Sequence, residues 1–201
     1  MIKPWKIPKM WPGETVVLIG GGPSLDDGQI SHIKGKAKTI GINDAYRIAP
    51  WINVLYACDL KWWLWHREET LELTCLKITP DKEAATRFKD LTYISGHHGE
   101  GLAAKPDQVV YGKNSGYQAL NVAVHTGAKR IILIGFDQRF PKNRSHWFGD
   151  HPDKVRSVYS NWRGNWESVV EPLKKLGVEV INCTPKSALT VFPMAELKQT
   201  I

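Results

Sequence analysis

Short apolar runs alternate along this chain with stretches in which apolar positions recur at helical spacing. The runs predict strands near residues 15–20, 38–42, 53–57, 74–78, 91–94, 130–135 and 178–182. The helical spacing falls near residues 25–33, 59–70, 80–88, 115–127 and 155–176. Strict alternation of this kind predicts an α/β fold, a single Rossmann-like domain over residues 1–201 with a mostly parallel sheet flanked by helices.

Two stretches follow neither pattern. Residues 95–113 and 136–154 are rich in Gly, Pro, His and Asp, and both are predicted to be long loops. Loops of this length beside a sheet are frequently functional, so each is a candidate lid segment over a site. No repeat, low-complexity tract or linker divides the chain.

The first predicted strand ends in a glycine turn, Gly20, Gly21, Gly22, Pro23 and Ser24. Glycine permits a sharp turn and a close approach of the backbone to a ligand. Pro23 suits the first turn of a helix and Ser24 suits a cap, so a helix is expected to open here. A helix N-terminus of this kind attracts anions, which predicts a phosphate and hence a nucleotide. The alternative is a strand-to-helix turn without a ligand, since neither the dinucleotide fingerprint nor the P-loop is present.

Other polar residues stand where predicted strands end, which is where parallel sheets bind ligands. These residues are Asn43 and Asp44 after the second strand, Asp59 after the third, Asp137 after strand 130–135, and Asn114, Ser115 and Gly116 before the helix that leads into it. Each has a structural alternative: Asp59 or Ser115 as a helix cap, Asn43 in a turn, Asp137 bracing a loop. Together they predict one crevice at one edge of the sheet.

The second long loop contains His146 and His151. Imidazole titrates near neutral pH and can take a proton from a hydroxyl nucleophile. A metal would require a carboxylate at ligand spacing as well, and no Asp-x-Asp motif stands at a predicted strand end, so no metal site is predicted. His97 and His98 are interpreted as residues of the first loop, with contact to a substrate as the alternative.

Charge and composition narrow the class of protein. Hydrophobic residues make up 42% and charged residues 23%, as in soluble globular proteins. No apolar run approaches the ~18 residues of a membrane helix and no signal peptide is expected, so a cytoplasmic location is predicted. The net charge of +7 suits an acidic ligand, a nucleotide or a nucleic acid. The three cysteines are far apart, which favours free thiols over disulfides.

Nine tryptophans are unusual in a chain of 201 residues. Trp62, Trp63 and Trp65 lie on one predicted helix, where neighbouring side chains point ~100° apart and cannot all face one core. Trp162 and Trp166 lie four apart on another. We therefore expect a homo-oligomer with these rings at or near the interface. The alternatives are burial in the core or cover by a long loop of the same chain.

These motifs resemble those of the bacterial sialyltransferases of glycosyltransferase family 42 and of related hydroxymethylpterin-diphosphokinase-like proteins, many encoded by phages and prophages. The resemblance spans about residues 16–193 and rests on five segments and one histidine: Gly20-Gly21-Gly22-Pro23-Ser24-Leu25, Ile42-Asn43-Asp44-Ala45-Tyr46, Asn114-Ser115-Gly116, Gly135-Phe136-Asp137, the tail Val180–Leu189 with its Pro-x-Ser-x-Leu loop, and His151. Two departures stand out. Gly21 replaces an asparagine of the family, and Gln138 and Arg139 stand where the sialyltransferases carry a phosphate-binding tyrosine.

The resemblance implies a GT-A-variant fold and metal-independent glycosyl transfer from a nucleotide-sugar, a CMP-sugar first, with no tightly bound cofactor. It implies that Asn43 and Ser115 orient the sugar or base and that His151 deprotonates the acceptor. Arg139, with His146, would stabilise the leaving phosphate.

Two other classes stay open. One is pyrophosphoryl transfer from ATP, with Mg²⁺ on Asp59 and Asp137. The other is a phage protein that binds a nucleotide or nucleic acid without catalysis. The acceptor is not identified by the sequence, and a nucleic acid remains among the candidates.

Overall fold

A computed structural model describes residues 2–139, 146–149 and 159–201. The described strands are β1 (Thr15–Ile19), β2 (Lys38–Ile42), β3 (Val54–Tyr56), β4 (Leu76–Thr79), β5 (Leu91–Tyr93), β6 (Ser95–His97), β7 (Gln108–Val110), β8 (Arg130–Ile134) and β9 (Glu179–Asn182). Seven of them form one parallel sheet in the order β5-β4-β3-β2-β1-β8-β9. Helices cover it, and the predicted Rossmann-like α/β class is confirmed.

The helices and short turns follow the strands in alternation. They are α1 (Asp27–Ile33), a 3₁₀ turn (Asn43–Arg47), α2 (Leu60–Trp65), α3 (Arg67–Leu71), α4 (Lys82–Arg87), α5 (Ser115–His125), α6 (Tyr159–Lys175) and α7 (Leu197–Thr200). The helix predicted over 59–70 is two helices, because the backbone of His66 leaves the helical conformation (φ −106°, ψ 17°). Among the described residues, no helix has the length and apolar character needed to span a bilayer.

The order of strands reverses between β1 and β8. From β1 the sheet extends through β2 to β5 on one side, and through β8 and β9 on the other. The connections therefore leave the carboxyl ends of β1 and β8 in opposite directions and open a crevice there. Both strands are buried on both faces, as central strands of a parallel sheet are.

Residues 95–113 are not the single loop that the composition predicts. They contain β6 and β7, which pair in parallel from Ser95 with Gln108 to His97 with Val110. Gly96 fits this pairing because a Cβ there would overlap the ring of Tyr111. Strands of three residues leave too short an alternation to be visible in the sequence.

The first helix begins later than the sequence predicts. Its cap is Asp26, whose carboxylate accepts from the Gln29 amide at 2.8 Å while the Gln29 side chain accepts from the Asp26 amide at 3.1 Å. This reciprocal pair satisfies two amide donors at once, so the helix starts at Asp27. Pro23 and Ser24 precede it in a tight turn and are neither its first turn nor its cap.

Helical geometry predicts that Trp62, Trp63 and Trp65 cannot all face one core, and of the three only Trp65 is partly exposed. Trp62 and Trp63 are both buried, and their indole N–H groups donate within the chain, to Asp44 at 3.0 Å and to the Ala57 carbonyl at 3.2 Å. Trp166 is also buried, Trp65 is half-buried, and the Trp162 ring lies outside the described residues. The expected homo-oligomer therefore remains a prediction without support from the buried rings.

Candidate functional site

A cavity of about 880 Å³ opens at the carboxyl edge of the sheet, over the point where the strand order reverses. Ten predicted site residues line it: Gly20, Gly21, Gly22, Asn43, Asp59, Asn114, Ser115, Gly116, Asp137 and His146. Pro23, Ser24, Asp44 and Arg139 do not line it, and His151 lies outside the described residues. The volume is within the range of small-molecule sites. The five segments that the sequence predicts to meet at this edge do therefore meet here.

The glycine turn fits against the end of β8. The Gly20 amide donates to Ile134 O and the Gly22 amide to Gly135 O, both at 2.8 Å. A Cβ on Gly20 or Gly22 would lie only 2.5 Å from Gly135 O. These two glycines are thus required for the approach of two backbones, and less for the approach to a ligand that the sequence suggests.

Asp137 occupies the place where the sequence predicts a phosphate. Its Oδ2 accepts from the Ser24 hydroxyl at 2.8 Å and from the Ser24 amide at 3.4 Å. The glycine-turn motif predicts that the amides of Gly21, Gly22 and Ser24 hold the phosphate. The Gly22 amide donates to Gly135 and the Ser24 amide to Asp137, so only the Gly21 amide has no acceptor among the described residues. The turn does face an anion, and the anion is a carboxylate of the same chain.

Burial raises the pKa of Asp137, and the Ser24 hydrogen bonds and the Arg139 charge lower it only in part. A carboxyl whose pKa is higher in the folded than in the unfolded chain ionises more readily when unfolded. The native state therefore loses stability as pH rises from the ordinary carboxyl range through the folded pKa.

We expect Asp137→Asn to abolish this loss, because the amide does not ionise while its oxygen still accepts from Ser24. The melting temperature of the variant relative to the parent should increase between pH 4 and pH 8. Asp59→Asn, an exposed carboxylate at the same edge, is the control. If the difference in melting temperature between the variant and the parent is constant with pH, ionisation of Asp137 is not the cause of the loss of stability.

Backbone strain is concentrated around the cavity. Four non-glycine residues of the described chain have positive φ, and three of them line the cavity: Asn43 (51°), Lys113 (56°) and Gln138 (52°). Each such backbone conformation costs on the order of 1 kcal/mol, and it persists only where the surrounding structure imposes it. Strain of this kind clusters at functional sites, and neither Lys113 nor Gln138 carries a sequence signal for it.

The far half of the cavity is aromatic. Trp62 and Trp65 reach it from α2, and His98 and Tyr111 from the segments beside β6 and β7. The His98 and Tyr111 rings meet edge to face at 5.2 Å. Lys61 lies over Trp65 at 5.3 Å. In the sequence, two tryptophans three positions apart after a strand indicate the part of this wall that α2 forms. The part formed by His98 and Tyr111 depends on the pairing of β6 with β7, which the sequence does not indicate.

Asn114, not Ser115, caps α5, since its side chain accepts from the Tyr117 amide at 3.1 Å. Ser115 is free to face the cavity, where its hydroxyl contacts Cys58 Sγ at 3.1 Å. Burial raises the pKa of the Cys58 thiol well above its usual range, so this cysteine is not a nucleophile at neutral pH. Asp59 stands at the cap position of α2 without a capping hydrogen bond and lines the cavity instead.

Asp44 supports the cavity wall from behind. It is buried, accepts from the Trp62 indole, and lies 3.5 Å from His66 Nε2 and 3.7 Å from Arg47 Nη1. Asp44, predicted from its place after the second strand to border the crevice, therefore contacts Trp62 instead, and Trp62 itself lines the cavity.

Residues 146–149 lie across the glycine turn. The Trp147 amide donates to Gly21 O at 3.1 Å, and the rings of His146 and Phe148 stack at 4.8 Å. A Cβ on Gly21 would be 3.3 Å from the His146 ring. This part of the second long loop forms one wall of the cavity.

The tail after β9 fixes the end of β8. The Phe136 amide donates to Thr184 Oγ1 at 2.9 Å, the Ser187 hydroxyl donates to Phe136 O at 2.6 Å, and the Ala188 amide donates to Asp137 O at 2.8 Å. The Pro-x-Ser-x-Leu loop thus holds the backbone of Phe136 and Asp137 in place at the site.

The two carboxylates that would hold Mg²⁺, Asp59 and Asp137, come from strands that are not neighbours. They follow β3 and β8, which are three strand spacings, or about 14 Å, apart across the sheet. Within the described residues no three His, Cys, Asp or Glu side chains are grouped to hold a metal.

Comparison with known proteins does not add a family to this picture. No family model, no curated protein and no solved structure matches the chain.

Proposed function

We propose that the chain binds a nucleotide-sugar, a CMP-sugar first, in the cavity at the switch point and transfers the sugar to a hydroxyl acceptor. One observation carries this proposal. Four segments that resemble the donor-site motifs of the sialyltransferases line the same cavity, with strained residues beside three of them.

The phosphate is best placed at the start of α5. Phosphate oxygens accept hydrogen bonds and carry negative charge, so they are repelled by Asp137 and attracted by Lys113, the Ser115 hydroxyl and the positive end of an 11-residue helix. Lys61, on the opposite wall, adds a second positive charge. This placement replaces the one on Ser24, whose donors are taken.

In the transfer step, the bond from the anomeric carbon to the phosphate oxygen breaks, and the nucleotide leaves with the electron pair. The acceptor oxygen forms a bond to the same carbon and loses its proton to His151. His146 lines the cavity and is available to the leaving phosphate, whereas Arg139 acts on the site through its charge beside Asp137.

A thermal-shift screen of CMP, UDP, GDP, ATP and their sugar conjugates, with and without Mg²⁺, tests the proposal. A ligand at a hundred times its Kd contributes about 2.7 kcal/mol, which is about 5–10 °C for a chain of this size. We expect CMP and a CMP-sugar to give this shift without Mg²⁺. Lys113→Ala should reduce it, and Lys34→Ala, at the opposite edge of the sheet, should not.

The other classes appear as distinct results of the same screen. A shift that requires ATP and Mg²⁺ together favours pyrophosphoryl transfer. A shift without release of nucleotide in the presence of sugar or nucleic-acid acceptors favours a binding protein. If no nucleotide shifts the melting temperature, the proposed function is wrong.

A further inference from the structure

The aromatic residues on the far wall of the cavity differ in how much of their surface is accessible. Trp62 is 3% exposed, and the His66 ring stacks on it at 4.5 Å, so it serves the packing of the wall. Trp65 and Tyr111 are partly exposed and His98 is exposed, and all three line the cavity. Accessible aromatic surface gathered on one wall of a concave site is typical of ligand-binding grooves.

Tyr111 is held in place before any ligand arrives. Its amide donates to His97 O at 3.0 Å, and its carbonyl accepts from the Gln118 side chain at 2.9 Å. Its ring packs on Gly96, where a Cβ would overlap it, and meets the His98 ring edge to face at 5.2 Å. A ring that is already positioned loses little conformational freedom when a ligand packs on it.

A tight turn brings Tyr111 close to the proposed phosphate site. The Asn114 amide donates to Tyr111 O at 3.3 Å, which closes the turn 111–114 and keeps its ends within about 7 Å of each other. Lys113 lies in this turn, Ser115 follows it, and both line the cavity. Tyr111 and the proposed phosphate donors are therefore near neighbours, as the nucleobase and the phosphate are in a nucleotide, where one ribose carries both.

The start of α5 divides the cavity into two halves. The Ser115 hydroxyl contacts Cys58, just beyond β3, at 3.1 Å, and a Cβ on Gly116 would lie 2.6 Å from the ring of Phe136, just beyond β8. The aromatic wall lies on the β3 side, because α2 follows β3. Residues 146–149 lie across the glycine turn, on the side of β1 and β8. A phosphate at the start of α5 therefore has the aromatic wall on one side and the second long loop on the other.

We propose that the nucleobase of the donor stacks on the rings of Tyr111 and Trp65. This inference rests on the proposed function, because it assigns one part of the same ligand. A nucleobase is planar and has an apolar face, and its stacking on aromatic side chains is favourable for every base. A sugar ring also packs on aromatic side chains, but the transferred sugar must lie on the opposite side of the phosphate, where the second long loop supplies the proposed general base.

Three substitutions act on the stacking surface. Tyr111→Leu and Trp65→Leu each remove a flat aromatic face and keep an apolar side chain. Gly96→Ala keeps the Tyr111 ring and displaces it, because the added methyl would overlap it. Phe148→Leu is the matched control, since it removes a ring that lines the cavity on the opposite side. Lys113→Ala is the second control, since it removes a charge and no ring.

The measurement is the affinity for CMP, for ribose 5-phosphate, which lacks the nucleobase, and for a CMP-sugar. Calorimetry gives these values, with competition against CMP for weak ligands. The parent should bind CMP about 10–100-fold more tightly than ribose 5-phosphate. Tyr111→Leu and Trp65→Leu should reduce this ratio towards one, and Gly96→Ala should reduce it less. Phe148→Leu should keep the ratio, and Lys113→Ala should keep it while weakening both ligands alike.

The other results are distinct. Equal affinity of the parent for CMP and ribose 5-phosphate, or a ratio that the three substitutions leave unchanged, overturns the stacking site and leaves the proposed function standing. Loss of affinity for the CMP-sugar alone places the transferred sugar on this wall and also overturns the stacking site. Should Trp65→Leu fail to fold, Tyr111→Leu and Gly96→Ala decide. Absence of binding by any nucleotide overturns both the stacking site and the proposed function.

Discussion

Replacing Gly22 by alanine is expected to weaken nucleotide binding at least tenfold, or about 1.4 kcal/mol. The added methyl would overlap Asp137 Oδ2 and lie 2.5 Å from Gly135 O. Gly135 O belongs to the backbone and Asp137 Oδ2 is held by the Ser24 hydroxyl at 2.8 Å, so either the end of β8 moves away or Asp137 leaves Ser24. Both changes move the part of the cavity wall to which Asp137 belongs. Overpacking of this kind also costs about 1–3 kcal/mol of stability.

The matched control is Gly164→Ala in α6, where a Cβ meets no atom within 4 Å. It should leave binding unchanged and stabilise the helix by about 0.5–1 kcal/mol. Circular dichroism and melting temperature show whether each variant is folded, and calorimetry gives the affinity. A folded Gly22→Ala protein with the affinity of the parent would place the nucleotide elsewhere.

Replacing His151 by alanine is expected to lower turnover about 10²–10⁴-fold, the usual effect of losing a general base. Donor affinity should barely change, because the base contacts the acceptor hydroxyl and not the nucleotide. This prediction comes from the resemblance alone, since His151 lies outside the described residues. The measurement is kcat for transfer to a hydroxyl acceptor, with donor affinity determined separately.

His146→Ala is the matched comparison, because it removes a histidine that lines the cavity and leaves the proposed base in place. The His146 ring stacks on Phe148 and lies against Gly21, so its loss should raise the KM for the donor more than it lowers kcat. Equal kcat values for the parent and His151→Ala would remove His151 from the mechanism and favour the kinase or the binding protein.

The seven strands of the main sheet were predictable from the sequence because each lies in a short, mainly apolar run of the length that a parallel sheet buries. The boundary of α1 was predictable too, since Asp26 and Gln29 have the spacing of a capping box, although Pro23 and Ser24 offered a competing start. The burial of Trp62 and Trp63 was not predictable by helical geometry. Other parts of the chain cover the short helix α2 on more than one side. The acceptors of the two indole N–H groups, Asp44 and the Ala57 carbonyl, show this.

The sequence predicts at which edge of the sheet the candidate site lies, but it does not predict which groups the site residues contact. Residues at strand ends converge because parallel strands end together, which is why Asn43, Ser115 and Asp137 meet in one cavity. At the predicted anion site Ser24 donates to Asp137, because a glycine turn attracts any anion and the sequence does not show that a carboxylate of the same chain lies beside it. His98 and Tyr111 depend on the pairing of two three-residue strands, which carries no pattern of its own.

The clamp on Phe136 and Asp137 has a consequence for the order in which this protein becomes competent during synthesis. The glycine turn and strands β1 to β5 leave the ribosome early, yet the Ser187 hydroxyl that holds Phe136 is separated from it by 51 positions. A nascent chain that ends before Thr184 already contains the residues proposed to contact the ligand. It lacks the hydrogen bonds that hold the backbone of Phe136 and Asp137. Under the proposed function, recognition of the nucleotide-sugar is therefore a late event in translation, after most of the sheet has been synthesised.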